Sequence, residues 1–118
     1  MELGKFSLSL TVKDIHASLA FYQKVGFDLL DDHRDENWVI LQNGNTVLGL
    51  FQGMFEKNLL TFIPTDVRGI QKHLKANGIP LNEEADESTT GPAYITLTDP
   101  DGNPIMFDQH DPDYKPTA

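Results

Sequence analysis

The chain has 118 residues, of which 9 are basic and 18 acidic, giving a net charge of −9 at neutral pH, and it contains no cysteine. The negative charge argues against binding to nucleic acid or to an anionic membrane surface, because both would repel it. The lack of cysteine excludes disulfides, thiolate catalysis and zinc–thiolate sites. No apolar run approaches the roughly 20 residues needed to cross a bilayer, and the first residues do not resemble a signal peptide, so we expect a cytoplasmic protein.

The first predicted strand, residues 6–12, alternates strictly between apolar and hydroxyl side chains. Because side chains of a strand point to opposite faces in turn, Leu8 and Leu10 share one face. Ser7 and Ser9 then share the other. This strand is therefore expected to have one face for the core and one face lined with hydroxyl groups.

A helix is predicted next, with Asp14 as its N-cap and Gly26 as the left-handed residue that ends it. Its buried stripe is expected to consist of Ile15, Leu19 and Tyr22. Three more strands complete the first half, and an Asn-Gly-Asn turn joins the last two of them. These strands are predicted at residues 27–33, 37–42 and 46–51.

The second half repeats this plan, because Asp14-Ile15 and Gly26-Phe27 recur at an offset of 52 residues as Asp66-Val67 and Gly78-Ile79. Asp66 is expected to cap the second helix. The strands of this half are predicted at 58–65, near 82–86, at 93–98 and at 104–109. The polar segment 86–91 is expected to be a mobile loop, and the residues from Asp111 onward a loosely ordered tail.

Two βαβββ halves predict an α+β fold in which a curved mixed sheet carries helices on its outer face and surrounds a cavity between the modules. We expect one domain over residues 1–118. Its parts are module 1 at about 5–52, module 2 at about 57–110 and the tail at 111–118.

Two motifs resemble those of a known family. The pattern V-x-D-I-x-x-S-x-x-F-Y runs from Val12 to Tyr22 and is closed by Gly26-Phe27, and the segment DPDGNPIMF occupies residues 99–107. Both resemble the vicinal oxygen chelate superfamily, which includes glyoxalase I, extradiol dioxygenases and the fosfomycin- and bleomycin-resistance proteins. The resemblance covers about residues 5–110. It is more specific for fold than for activity, since this fold serves unrelated chemistries.

The resemblance also indicates where a metal would be bound. The family's metal enzymes take His, Glu or Gln ligands from four strand positions, which correspond in this chain to Ser7, Gly49, Leu59 and Met106. None of these side chains is an imidazole or a carboxylate, the ligands that a borderline or hard divalent cation prefers. We therefore expect no metal and no cofactor.

Strand alternation also predicts which residues line a ligand site. The candidates are small, hydroxyl-bearing or apolar, with one carboxylate among them: Ser7, Ser9, Gly49, Leu59, Thr61, Met106 and Asp108. Trp38, the only tryptophan, is either an aromatic floor for that site or plain core packing or a dimer contact. As the one fixed charge, Asp108 would favour a cationic ligand.

The histidines give one further candidate. His16 and His73 are expected on solvated helix faces, and His33 at a charged turn. His110 shares strand parity with Asp108, so this pair is either a metal or base site or simply a strand end that reaches water.

Three functions are compatible with these residues. The first is a metal-free small-molecule-binding protein, similar to the bleomycin-resistance branch, that holds an organic ligand and favours a cationic one. The alternative is a glyoxalase-like lyase or isomerase acting on a small carbonyl substrate, with Asp108 or His110 as the base. The third is an interaction or regulatory module whose cavity is filled by its own side chains. The resemblance implies a homodimer, with or without exchange of modules.

Overall fold

The computed structural model describes all residues from Met1 to Ala118, and it is α+β, as predicted. The elements are β1 (Lys5–Val12), α1 (Ile15–Val25), β2 (Asp28–His33), β3 (Trp38–Asn43), β4 (Thr46–Gln52), β5 (Leu59–Ile63), α2 (Val67–Ala76), β6 (Ala93–Thr98) and β7 (Pro104–Gln109), with a 3₁₀ turn at Arg34–Glu36. Neither helix is long and apolar enough to span a membrane.

The chain divides into two compact units. The first unit comprises Ser7–Asn58 and Lys115–Ala118, and the second comprises Met1–Phe6 and Leu59–Tyr114. Each unit contains a helix packed on one face of its strands, as the repeated sequence pattern predicts.

In the first unit the strand order is β2-β3-β4-β1, with β1 parallel to β4 and the other pairs antiparallel. The helix α1 contributes Ile15 and Leu19 to a core that also contains Val39, Leu41 and Leu50. Burial of apolar side chains of this size stabilises the unit by about 1.5–3 kcal/mol each. The predicted βαβββ order is therefore confirmed for this half.

The ends of α1 follow the predicted capping chemistry. Asp14 accepts hydrogen bonds from the backbone N–H groups of His16 and Ala17. At the other end Gly26 has φ of 131°, and its N–H and that of Phe27 donate to the carbonyl oxygen of Tyr22. These contacts satisfy backbone groups that a helix end leaves free.

In the second unit β5 pairs parallel with β7, and β6 pairs antiparallel with β7. The core consists of Val67, Ile70 and Leu74 from α2 with apolar residues of β6 and β7. The strand predicted near 82–86 is reduced to one isolated bridge between Glu83 and Thr96. Beside this bridge, the backbone N–H of Asn82 also donates to the Thr96 carbonyl. The residues that follow are held by side chains instead.

Those side chains come from α2. Gln71 is fully buried; its Nε2 donates to the Ala85 carbonyl and its Oε1 accepts from the Ala85 N–H. Arg68 donates to the carbonyl oxygens of Asp86 and Gly91 and to the hydroxyl of Thr89. The segment 86–91, expected to be mobile, is thus tied to α2 through an arginine that donates in three directions.

The last residues of the chain contact the edge strand of the first unit. Thr117 donates its N–H and its hydroxyl to the carboxylate of Asp31, and its carbonyl accepts from the N–H of Asp32 at 2.7 Å. A β2 edge that would otherwise offer free backbone groups is therefore partly covered.

Candidate functional site

The open face of the first unit is the face of its strands that points away from α1. Leu8, Leu10 and Val12 pack against the core under α1, so Ser7 and Ser9 point to the open face. Cross-strand register extends this face over the other strands. Ser9 pairs with Gly49 and Gly49 with Ile40, while Thr11 pairs with Phe51 and Phe51 with Trp38.

Four aromatic rings run along this open face, and we call them the aromatic row: His33, Trp38, Phe51 and Phe55. The imidazole of His33 lies parallel to the indole of Trp38, with ring centroids 4.1 Å apart and planes within 9°. Trp38 is in turn near-parallel to Phe51 at 6.3 Å, and Phe51 contacts Phe55 at 5.2 Å. Thr11 holds the segment carrying Phe55, because its hydroxyl donates to the Phe55 carbonyl.

His33 lies between two carboxylates. Its Nε2 is 2.9 Å from Asp31 Oδ1, and its Nδ1 is 3.3 Å from Glu36 Oε1. Burial disfavours the charged imidazole, but the hydrogen bond to Glu36 and the nearby Asp31 carboxylate outweigh it, so the pKa of His33 lies above its ordinary value. Asp31 is buried, and it is the same carboxylate that accepts from Thr117.

Position 49 has no room for a side chain. A Cβ atom added to Gly49 would collide with the ring of Phe51 and press against Ile40. Gly49 is buried, as are Ser7 and Ser9, each 4% exposed, whereas Trp38 is partly exposed. A molecule approaching the first unit would therefore meet the aromatic row before the two serines.

The remaining predicted residues lie on the face of the second unit that points away from α2. Phe62 packs against the α2 core, so the alternating residues Leu59 and Thr61 point the other way, and both are buried. Met106 pairs with Thr61, and both Met106 and Asp108 are partly exposed. The structure thus groups the predicted residues as two sets of four, one set on each unit.

Asp108 and His110 form an ion pair at the end of β7. The distance from His110 Nε2 to Asp108 Oδ2 is 3.0 Å. The hydrogen bond to Asp108 raises the pKa of His110 above its ordinary value, although burial opposes this. Tyr94, directly across from Asp108, has a raised pKa because its hydroxyl is hydrogen-bonded to Glu83. Asp108 and His110, which strand alternation predicts on the same side of the chain, are therefore in direct contact.

The sequence profile of the Glyoxalase/Bleomycin resistance protein/Dioxygenase superfamily matches residues 6–107 of the chain. The chain belongs to this superfamily. No protein of curated function matches it.

Solved structures similar to this superfamily member show the same fold. One is a glyoxalase/bleomycin resistance protein/dioxygenase superfamily member from Vibrio splendidus 12B01, with TM-score 0.68, 19% identity, and coverage of 89% of this chain and 97% of that chain. Another is described as an NAD-dependent benzaldehyde dehydrogenase from Legionella pneumophila, with TM-score 0.74, 15% identity, and coverage of 90% and 99%. A third is a hypothetical protein from Bacillus halodurans C-125, with TM-score 0.71, 15% identity, and coverage of 97% of both chains. At these identities the likeness concerns the fold alone.

The residues at the superfamily's metal positions do not fit a metal. The first unit offers Ser7 and Gly49 there, and the space at Gly49 is taken by the Phe51 ring. The second unit offers Leu59 and Met106. Nowhere does the structure gather three His, Asp or Glu side chains into a group that could hold an ion. A divalent cation needs imidazole or carboxylate donors, which this set lacks.

His33 and Phe55 belong to the candidate site, although the strand pattern does not predict them there. His33 alternates with Asp31 along β2, and this spacing could have placed both on the open face. Phe55 lies outside any strand, in a segment that Thr11 and Asn58 hold through side-chain contacts. No local pattern signals contacts of that kind.

Proposed function

We propose that this chain is a metal-free protein that binds a small, planar, cationic organic ligand on the open face of the first unit. The aromatic row, flanked by the carboxylates of Asp31 and Glu36, is the observation that carries the proposal. Aromatic faces attract planar rings and cations, an effect worth about 0.5–2 kcal/mol per contact.

The charge distribution supports a cationic ligand. The 3₁₀ turn beside the row carries two acidic residues, Asp35 and Glu36, and the chain as a whole carries a net charge of −9. Such a field raises the local concentration of cations. The predicted residues Ser7, Ser9, Trp38 and Gly49 lie on this face and are part of the proposal. Leu59, Thr61, Met106 and Asp108, on the second unit, stay predictions from the sequence.

Thermal denaturation, followed by circular dichroism, tests the proposal against a panel of planar cations that includes proflavine and ethidium. Acridone, which is planar but neutral, serves as the matched compound. A ligand at 100 times its Kd adds about 2.7 kcal/mol of stability, which raises Tm by several degrees for a domain of this size. We expect the planar cations to raise Tm more than acridone does. If no cation in the panel raises Tm, the proposal is wrong.

A Trp38→Leu variant locates the binding surface. We expect it to remove most of the stabilisation by proflavine, while Tyr94→Leu, which replaces an exposed aromatic residue of the second unit, retains it. Should Trp38→Leu fail to fold, Phe55→Leu provides a second test at the other end of the aromatic row.

The Asp108–His110 pair favours a second candidate, a lyase or isomerase acting on a small carbonyl substrate. An imidazole oriented by a carboxylate is a suitable general base. The chemistry also needs an electrophile to stabilise the developing negative charge, and the four superfamily positions supply none. Turnover of small α-oxo aldehydes that is lost in His110→Gln would support this candidate over the binding proposal.

We also propose a cytoplasmic homodimer, with or without exchange of modules. The absence of cysteine supports the cytoplasm, where thiols stay reduced and disulfides are rare. Light scattering measures the assembly directly. A mass of two chains is expected, and a mass of 13.2 kDa in solution would contradict it.

A further inference from the structure

The indole of Trp38 is covered on one side by a side chain that carries a titratable charge. The His33 ring stacks on it at 4.1 Å and nearly parallel, which is within the range of a cation–π contact. Each ring nitrogen of His33 contacts a carboxylate: Nε2 contacts Asp31, and Nδ1 contacts Glu36. The imidazole is therefore held at both edges while its face rests on Trp38.

We infer that His33 is a positioning residue for Trp38: the carboxylates of Asp31 and Glu36 orient its imidazole, and the imidazole in its charged form fixes the indole plane of the aromatic row. The relevance of this arrangement to ligands rests on the proposed function. The arrangement itself is a property of the ligand-free chain and can be measured without any ligand.

Asp31 and Glu36 dominate the charge around His33. On β2 the neighbouring Asp32 is neutralised by Arg34, which donates to both of its carboxylate oxygens. Strands β3 and β4 contain no charged residue, and Thr117, the tail residue that contacts Asp31, is uncharged. The other charged side chains of the adjoining segments are Asp28 on β2, Asp35 on the 3₁₀ turn, and Asp111, Asp113 and Lys115 in the tail.

Trp38 is the only tryptophan of the chain, so its fluorescence reports on His33 without labelling. A charged imidazole in contact with an indole quenches its emission more strongly than a neutral one does. We expect the emission of the ligand-free protein to rise in a single step between about pH 5 and 9. The midpoint is expected above the ordinary histidine value of about 6.5, because the two carboxylates favour the charged ring.

Four variants decide the assignment. His33→Gln should abolish the step, and His16→Gln, which changes an exposed histidine on α1, should leave it intact. Asp31→Asn and Glu36→Gln should each move the midpoint to lower pH. Asp31 is buried and its replacement could prevent folding, but Glu36 is largely exposed, so Glu36→Gln keeps the test decisive. A step that persists in His33→Gln, or a midpoint unchanged by Glu36→Gln, would overturn the inference.

Proflavine tests the consequence for binding separately. If His33 positions Trp38, His33→Gln should weaken proflavine binding at pH 7 by severalfold, whereas His16→Gln on α1 should not change it. Proflavine affinity unchanged by His33→Gln would contradict the positioning role at the ligand site. If proflavine does not bind the unaltered protein, the proposed function fails for this probe, while the fluorescence step still decides whether His33 orients Trp38.

Discussion

The ring of Phe51 occupies the space that a side chain on Gly49 would need. Both residues lie on β4, two positions apart and on the same face of the strand. Glycine at position 49 therefore leaves the volume that an aromatic ring of the proposed ligand surface fills.

A Gly49→Ala change should consequently destabilise the fold. Removing glycine flexibility would by itself stabilise by about 0.4–1 kcal/mol, but overpacking costs about 1–3 kcal/mol and should prevail. The expected loss in urea denaturation is smaller when Phe51→Leu is already present, because leucine leaves room for the new methyl group. An equal loss in both backgrounds would show that Phe51 is not the obstacle.

The contact between Thr117 and Asp31 predicts that the last residues contribute to stability. Thr117→Pro removes both the N–H and the hydroxyl that donate to this buried carboxylate. Leaving a buried acceptor with fewer donors costs about 1–3 kcal/mol. Thr117→Ser, which keeps both donors, should be close to the unaltered protein in chemical denaturation. Equal stability of the proline and serine variants would show that the tail contributes nothing.

Arg68 is predicted to hold the segment 86–91 in place. Lysine at this position keeps the charge, but its single compact ammonium group cannot reach the three separate acceptors that Nε, Nη1 and Nη2 of Arg68 contact, so Arg68→Lys should loosen the segment. We expect amide exchange of residues 86–91 to accelerate about tenfold, equivalent to about 1.4 kcal/mol of local stability. Lys24→Ala on α1 is the matched surface change and should leave that exchange unaltered. Unchanged exchange in Arg68→Lys would show that Arg68 does not hold the segment, and would leave the contacts of Glu87 with Gln71 and Lys75 as its ties to α2.

The raised pKa values of His33 and His110 predict that stability falls as the solution becomes alkaline. A histidine whose pKa is higher in the folded chain contributes its full stabilisation below the unfolded value of about 6.5, and loses it as pH rises through the folded value. Urea denaturation at about pH 6 and about pH 9 measures the difference.

A double-mutant cycle assigns the share of His110 in this pH dependence. His110→Gln should reduce the difference between the two pH values, and Asp108→Asn should reduce it only while His110 is present. The remainder is attributed to His33. A pH dependence untouched by either substitution would mean that the 3.0 Å contact does not persist in solution.

Local chemistry made much of the fold predictable. Asp14 and Asp66 cap helices because a short carboxylate reaches the first free N–H groups, and each capping contact is present. The side of β1 to which Ser7 and Ser9 point was predictable from the alternation of side chains along that one strand.

Contacts between distant residues were not predictable in this way. Thr117 and Asp31 are 86 positions apart, and no periodic pattern joins them. The strand predicted near 82–86 is present only as a bridge at Glu83. The buried side chain of Gln71 on α2 hydrogen-bonds the backbone N–H and carbonyl of Ala85 instead. The aromatic row likewise depends on register between β2, β3 and β4, which the sequence of any one strand does not contain.

If this protein binds an organic ligand without a metal, the purified chain should retain no ion, which elemental analysis measures. The protein would be purified without a metal-affinity step, equilibrated with Ni²⁺, Zn²⁺ and Mn²⁺, and dialysed before its metal content is measured. We expect no stoichiometric ion of any kind, because Ser7, Gly49, Leu59 and Met106 supply no suitable donor. Retention of one ion per chain would contradict it and favour a metal-dependent enzyme.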